Sequence, residues 1–197
     1  MIGITSFYRP GFSGKIWMCS DFHFGHKVVL QDRIFQNTDV MDNILIRNAN
    51  RVVGKDDILI IVGDITMAGG NKSRYAESMV NKLPGKKVLV LGNHDKFKPR
   101  WYLKRGFFLV ATSLVLDGGI LVVHDPSEAE NWPVDKPVVC GHVHTLFKVK
   151  QNVVNVGVDV WDYTPVLLDD ALSLCAGMRD RGVEWSKNRH GVKHNES

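Results

Sequence analysis

Asp57-Ile58-Leu59-Ile60-Ile61-Val62-Gly63-Asp64 is the stretch on which the reading of this chain turns. Five consecutive large apolar residues between an aspartate and a glycine are strand-sized. A strand without polar alternation is buried on both faces, as in a parallel sheet covered by helices. The chain leaves this strand through Gly63 straight into Asp64, which puts a carboxylate at a strand's carboxyl end. Upstream, Lys15-Ile16-Trp17-Met18-Cys19-Ser20 reads as a second buried strand delivering Asp21-Phe22-His23. Downstream, Lys87-Val88-Leu89-Val90-Leu91 delivers Gly92-Asn93-His94-Asp95. Residues 38–53 carry Val40, Met41, Ile44, Leu45 and Ala49 near helical period, with Thr38 as N-cap, and Tyr75 to Leu83 reads as a helix stopped by Pro84-Gly85. Strand and helix therefore alternate in the β-α-β order of a parallel sheet.

Beyond Gly106 the pattern shortens. Phe107–Ala111, Ser113–Leu116 and Ile120–Val123 read as strands, the last two joined by a turn at Asp117-Gly118-Gly119, and Ile120–Val123 runs into His124. Val138-Val139-Cys140 runs into Gly141-His142-Val143-His144. Val153–Val156 and Val166–Leu168 read as further strands before a helix near Asp169–Cys175. These turns predict a second, largely antiparallel sheet. The expected architecture is α/β, a two-sheet β-sandwich flanked by helices, with residues 1–177 as one domain and 178–197 as a polar, basic tail.

Composition sets the outer limits. At 197 residues the chain can bury roughly 70% of its unfolded surface in a single core. No apolar run approaches the roughly 20 residues of a membrane helix, and the N-terminal stretch has no secretory pattern, so a cytoplasmic location is expected. Cys19, Cys140 and Cys175 form no CxxC pair and are odd in number, which argues against a disulfide framework. A net charge of +4 suits a polyanionic substrate without requiring nucleic acid. Arg179, Arg181, Lys187, Arg189 and Lys193 in the tail supply part of it.

Five polar clusters thus follow five apolar strands: Asp21-Phe22-His23, Gly63-Asp64, Gly92-Asn93-His94-Asp95, His124-Asp125 and Gly141-His142-Val143-His144. In open α/β sheets, ligands bind outside the carboxyl ends of strands, where loops distant in sequence converge. D-x-H and H-x-H spacing aims two donors to one side of near-extended backbone. The mixed nitrogen and oxygen donors suit Mn, Fe, Zn, Ni or Co better than an all-oxygen cage for calcium or magnesium.

At these residues the chain resembles the calcineurin-like metallophosphoesterase superfamily, whose blocks D-x-H, GD, GNH[D/E], a lone His after a strand and GHxH all occur here in order, from about Lys15 to Leu168. It is most similar to small bacterial and phage phosphoesterases, through the DFHFGH of residues 21–26 and Asn155-Val156-Gly157-Val158-Asp159. The resemblance implies a four-layer αββα fold in which Asp21, His23 and His144 hold one divalent ion, Asn93, His124 and His142 hold a second, and Asp64 bridges them. It further implies that His94 faces the scissile phosphate as the catalytic residue, and that a water or hydroxide between the ions attacks directly, without a phospho-enzyme. Two divalent ions with only Asp21 and Asp64 as charged ligands leave about two surplus positive charges, which attract phosphate.

His26 and Arg33, just after the first block, are expected to reach a substrate phosphate, Arg33 by a bidentate contact. Asp95, Asp125 and Asp159 either orient ligands or serve as turn acids. Trp132, Trp161 and Tyr163 either stack on a base or pack. The second block, residues 63–70, lacks the acid and arginine of the GDxxDRG pattern of phosphoprotein phosphatases, and the GNH block ends in Asp95 where that branch has Glu. Without that arginine clamp a phosphodiester of a small nucleotide-like molecule is the expected substrate, with two transition-metal ions, manganese foremost in vitro. The alternatives are a nuclease acting on a nucleic-acid strand, a phosphomonoesterase or protein phosphatase, and a non-catalytic interaction scaffold; the complete ligand set argues against the scaffold. No membrane and no obligate protein partner are inferred.

Overall fold

The computed structural model describes residues 4–7, 13–66 and 73–180. Its strands fall into two sheets. The first contains β2 (Ile16–Cys19), β3 (Ile58–Val62), β4 (Lys86–Val90), β5 (Phe107–Ala111) and β11 (Val166–Leu167) in the order β11-β2-β3-β4-β5, and only the edge strand β11 is antiparallel. The second contains β1 (Ile4–Phe7), β6 (Ser113–Leu116), β7 (Ile120–Val123), β8 (Val138–Cys140), β9 (Val149–Lys150) and β10 (Val153–Asn155) in the order β1-β6-β7-β8-β10-β9.

The sandwich forms because the strands carry apolar residues on both sides. Along β3, Ile58, Ile60 and Val62 point into the layer between the sheets, while Leu59 and Ile61 point to the helices, as the two-residue period requires. The inter-sheet layer is completed by Met18, Val88 and Val90 from one sheet and Leu114, Val122, Val139 and Val154 from the other. On the outer face of the first sheet lie α1 (Thr38–Val52), through Met41, Leu45 and Ala49, α2 (Ser73–Lys82), through Ala76, Met79 and Val80, and α3 (Pro99–Leu103), through Tyr102. α4 (Leu168–Asp180) packs on β2, β9, β10 and β11, edge regions of both sheets. A one-turn 3-10 helix at Pro126–Ala129 and Trp132 lie against the second sheet's outer face. The architecture is the expected α/β sandwich flanked by helices.

Several local expectations are corrected. The second sheet is mixed, since β1–β6, β7–β8 and β8–β10 are parallel and only β6–β7 and β9–β10 are antiparallel. Residues 124–137 between β7 and β8 are long enough for a crossover, which parallel pairing needs and a hairpin does not. The cap of α1 is Asn37, whose side chain accepts from the Val40 N–H at 2.9 Å, and Thr38 is the first helical residue. α4 begins at Leu168 and runs to Asp180, past the expected domain boundary at 177, while the rest of the tail lies outside the described residues. β1, β9 and α3 carried no sequence signal strong enough to be read.

Candidate metal centre

β2, β3, β4, β7 and β8 release their chains at one rim, and the loops there are cross-tied by backbone. The Asp21 N–H donates to Gly63 O at 3.1 Å, His23 N–H to Asp64 O at 2.9 Å and Gly141 N–H to His124 O at 3.0 Å. Such close loops leave no room for side chains at two glycines: a Cβ on Gly92 would overlap the Asp64 carboxylate, and one on Gly141 would overlap the Ser20 hydroxyl. Asp21, His23, Asp64, His142 and His144 all take left-handed backbone, with φ of 59°, 51°, 56°, 71° and 46°. That region is unfavourable for residues with a Cβ and is typical of functional sites.

The turns bring all seven expected donors together. The Asp64 Oδ2 lies 3.4 Å from His124 Nε2, 3.6 Å from His23 Nε2 and 4.0 Å from His94 Nε2. Asn93 Oδ1 is 3.0 Å from both His124 Nε2 and His142 Nδ1, and those two ring nitrogens are 3.3 Å apart. The rings of His23 and His144 stack at 5.1 Å between centroids. Two sets, Asp21 with His23 and His144, and Asp21 with Asp64 and His124, have ligand atoms close enough to share an ion.

Ring orientation fits this use. His124 Nδ1 donates to Val62 O at 2.8 Å, since a carbonyl only accepts, which leaves Nε2 facing Asp64 and Asn93. His144 Nδ1 meets Asp159 Oδ2 at 3.0 Å, leaving its Nε2 for the rim. Partners of this kind fix a metal-binding imidazole's tautomer and direction. Both ring nitrogens of His23 are buried without a hydrogen-bond partner. An unsatisfied buried nitrogen is costly, and a divalent ion satisfies one, so the donor set fits a metal.

Asp21, His23, Asp64 and His124 are each at most 2% exposed. Burial pushes the His23 ring down to about 3, so it is neutral and able to ligate at neutral pH. Burial also works to raise the Asp64 carboxyl, but the His124 ring and the His94 N–H outweigh it and hold the group at about 2. Asp64 is therefore an anion throughout the physiological range. His124 is driven the other way: burial lowers it, but Asp64, Asp21 and the Val62 carbonyl prevail and raise it to about 9. A metal ion would have to displace that proton.

The family pattern described as Calcineurin-like phosphoesterase matches residues 14–161. The chain belongs to the calcineurin-like phosphoesterase family. Among its relatives, MJ1445 of Methanocaldococcus jannaschii is 30% identical over 165 residues, covering 79% of this chain and 88% of that protein. The gene 66 protein of Mycobacterium phage D29 is 29% identical over 184 residues, covering 77% and 92%. The crystal structure of AQ665 from Aquifex aeolicus superposes with a TM-score of 0.63 at 21% identity, over 82% of this chain and 100% of that one, a likeness of fold.

Within this phosphoesterase the remaining expected residues divide. His94 stands beside the recess in which Asp21, His23, Asp64 and His124 are buried, its side chain 35% exposed and its N–H bonded to Asp64 Oδ1 at 2.8 Å. His26 is there too, its ring centroid 5.4 Å from that of His23 and 6.3 Å from that of His94. Arg33 is not, which corrects the expectation that it contacts substrate. Its guanidinium is buried, bonded to Asp159 at 2.7 and 2.9 Å and to the carbonyls of Asp21 and Phe22 at 2.6 and 3.0 Å. Trp161 donates to Asn155 O and lies under Lys148, Tyr163 lies against Phe35, and Trp132 packs on the second sheet, so all three aromatic residues pack.

Of the two roles expected of Asp95, it takes that of the turn acid and extends it to a second loop. Its carboxylate accepts from the N–H groups of Asp64, Gly92 and Ile65 at 2.8, 2.9 and 3.2 Å, and so ties the second loop to the third. Its position three residues after Gly92 is the only local hint, since Asp side chains commonly accept from nearby backbone in turns.

Proposed function

We propose that this protein is a two-metal phosphodiesterase, manganese being the foremost metal in vitro. Asp21, His23 and His144 would hold one ion and Asn93, His124 and His142 the other, with Asp64 as the anionic ligand common to both sets. The observation that carries this reading is the position of the Asp64 carboxylate, within 4.0 Å of His23, His94 and His124. Divalent ions bound there supply Lewis acidity and a nucleophile at neutral pH.

The chain's own residues do the rest. His144 and His124 are held in orientation by Asp159 and the Val62 carbonyl. Asp95 fixes the backbone from which Asp64 projects. His94, tethered by its N–H but with a partly exposed ring, can turn toward the leaving oxygen and protonate it. His26, its ring 5.4 Å from that of His23 and 6.3 Å from that of His94, would meet a non-bridging oxygen of the same phosphate.

A diester is favoured because Arg33 is turned inward and gives no arginine clamp for the extra charge of a monoester dianion. Three buried free thiols accord with a reducing, cytoplasmic setting. The test compares bis-p-nitrophenyl phosphate with p-nitrophenyl phosphate in Mn²⁺, alongside metal analysis. A higher kcat/KM for the diester and two ions per chain are expected. A monoester preference of about tenfold, roughly 1.4 kcal/mol of transition-state free energy, would overturn the diester assignment.

A further inference from the structure

The segment after the Gly92–Asp95 turn reads Lys96-Phe97-Lys98-Pro99-Arg100-Trp101-Tyr102-Leu103-Lys104-Arg105, with five cations and no acid. Its rings anchor it. Tyr102 is buried with its hydroxyl 3.4 Å from Asp95 Oδ1, and Phe97 lies flat on Trp101 with centroids 4.1 Å apart. Arg105 lies 4.0 Å over the Trp101 ring and pairs with Glu77 at 3.0 Å. The other four cations, Lys96, Lys98, Arg100 and Lys104, are exposed, and none forms an ion pair with a described residue.

Lys96 stands two residues from His94, so this row of charge begins at the recess and continues over α3. The neighbourhood of His142 has the opposite sign. Asp125 lies 3.8 Å from the His142 ring, and Glu128 and Glu130 follow in exposed positions. The rim is therefore basic on the side of β4 and β5 and acidic on the side of β7 and β8. A small diester monoanion has one charge, which the metal centre meets, and leaves four fixed cations without a use. A chain of phosphates uses them all.

We propose that Lys96, Lys98, Arg100 and Lys104 form a track for the sugar-phosphate backbone of single-stranded nucleic acid, leading the strand over α3 into the recess at His94. This rests on the phosphodiesterase reading and names its substrate class. A single strand is specified because Asp21, His23, Asp64 and His124 are each at most 2% exposed and a phosphate must descend to reach them. A duplex, with a persistence length of about 50 nm, bends into such a recess only at considerable cost. Contacts of this kind read phosphate and not base, so binding is independent of sequence.

The test is fluorescence anisotropy of a labelled oligothymidylate with the full chain, over a salt series. The variant K96Q/K98Q/R100Q/K104Q changes exposed side chains alone, and K55Q/K136Q/K150Q removes exposed charge elsewhere. The track variant should bind at least about tenfold more weakly at low salt, and its slope of log affinity against log salt should be smaller by about 2.8, near 0.7 per lost phosphate contact. The distal variant should bind like the parent. The track is overturned if its variant binds like the parent, if the distal variant loses as much, or if duplex DNA binds more tightly than the single strand. Hydrolysis of bis-p-nitrophenyl phosphate by the parent reads the phosphodiesterase assignment separately. A chain inactive on that diester that still binds the oligonucleotide through these four residues keeps the track and loses the assignment.

Discussion

Arg33 and Asp159, far apart in sequence, form a buried two-point pair, Nε to Oδ1 at 2.7 Å and Nη2 to Oδ2 at 2.9 Å, that joins the loop after β2 to the loop after β10. Since the guanidinium also donates to the Asp21 and Phe22 carbonyls, Arg33→Ala strands an anion and two carbonyls in the interior. Loss of one partner from a buried pair costs roughly 3–5 kcal/mol. Denaturant titration should show that loss, with Arg33→Lys recovering only part of it. An unchanged midpoint with a raised KM would return Arg33 to the substrate.

Asp159 also fixes the His144 ring, so Asp159→Asn should weaken the metal centre without removing a ligand. An amide cannot accept on both of its polar atoms, and the loss of such an orienting partner typically costs about 10–100-fold in metal affinity. Calorimetric titration with Mn²⁺ reads this directly; unaltered affinity would leave Asp159 with the Arg33 pair alone.

Asp64→Asn and His94→Ala should separate cleanly. The first removes the central anion and should lower the content of both ions together with activity. The second should lower kcat by about 10²–10⁴-fold, the usual range for a proton-transfer group, while the ions stay bound. Metal loss in His94→Ala would make it a ligand; retention of both ions and turnover in Asp64→Asn would end its bridging role.

Gly92→Ala is expected to fail through contact and not through backbone freedom. The added methyl would overlap the Asp64 carboxylate, and relief requires moving that side chain or the loop. Overpacking of this kind costs about 1–3 kcal/mol. Here the displaced group is the central carboxylate, so metal content should fall further than stability; normal metal content would show that the loops can separate.

Asp42 supplies a pH prediction. Its Oδ2 accepts from the Gly25 N–H at 2.9 Å and from the Tyr75 hydroxyl, and its Oδ1 is buried without a partner. Burial raises the carboxyl to about 6, with the Tyr75 and Gly25 bonds opposing and Asp39 and Arg33 contributing in opposite directions. A carboxyl raised on folding binds its proton more tightly in the fold, so its contribution is full below the unfolded value and is lost as pH rises through about 6. The span is roughly 2–3 kcal/mol. Asp42→Asn should therefore melt above the parent at pH 8, with the difference gone by pH 4. A constant offset across that range would refute the assignment.

Much of this was legible because it is local. Ile58–Val62 announces a central strand through five apolar residues, and residues 107–111, 113–116 and 120–123 announce theirs through turns and alternation. The donors were legible because each follows a strand. Arg33 was misread because its partner lies far along the chain, and nothing near it marks the guanidinium as buried. Asp95, read as either an orienter of ligands or a turn acid, turns its carboxylate to the backbone of Asp64, a direction set by tertiary approach. The parallel β7–β8 pairing was likewise decided by where residues 124–137 cross.

The left-handed backbone of Asp21, His23, Asp64, His142 and His144 has a consequence for the protein's life in a cell. Five such residues cost roughly 5–10 kcal/mol together, as much as the whole net stability of many domains. For a chain that holds two ions there, each ion at about a hundredfold above its dissociation constant returns roughly 2.7 kcal/mol by mass action. Metal scarcity would then act first on how much of the protein survives proteolysis, before it acts on turnover, and abundance would follow the supply of the ion. Limited proteolysis across a chelator series, with activity read in parallel, would detect that order; activity lost well before protease resistance would contradict it.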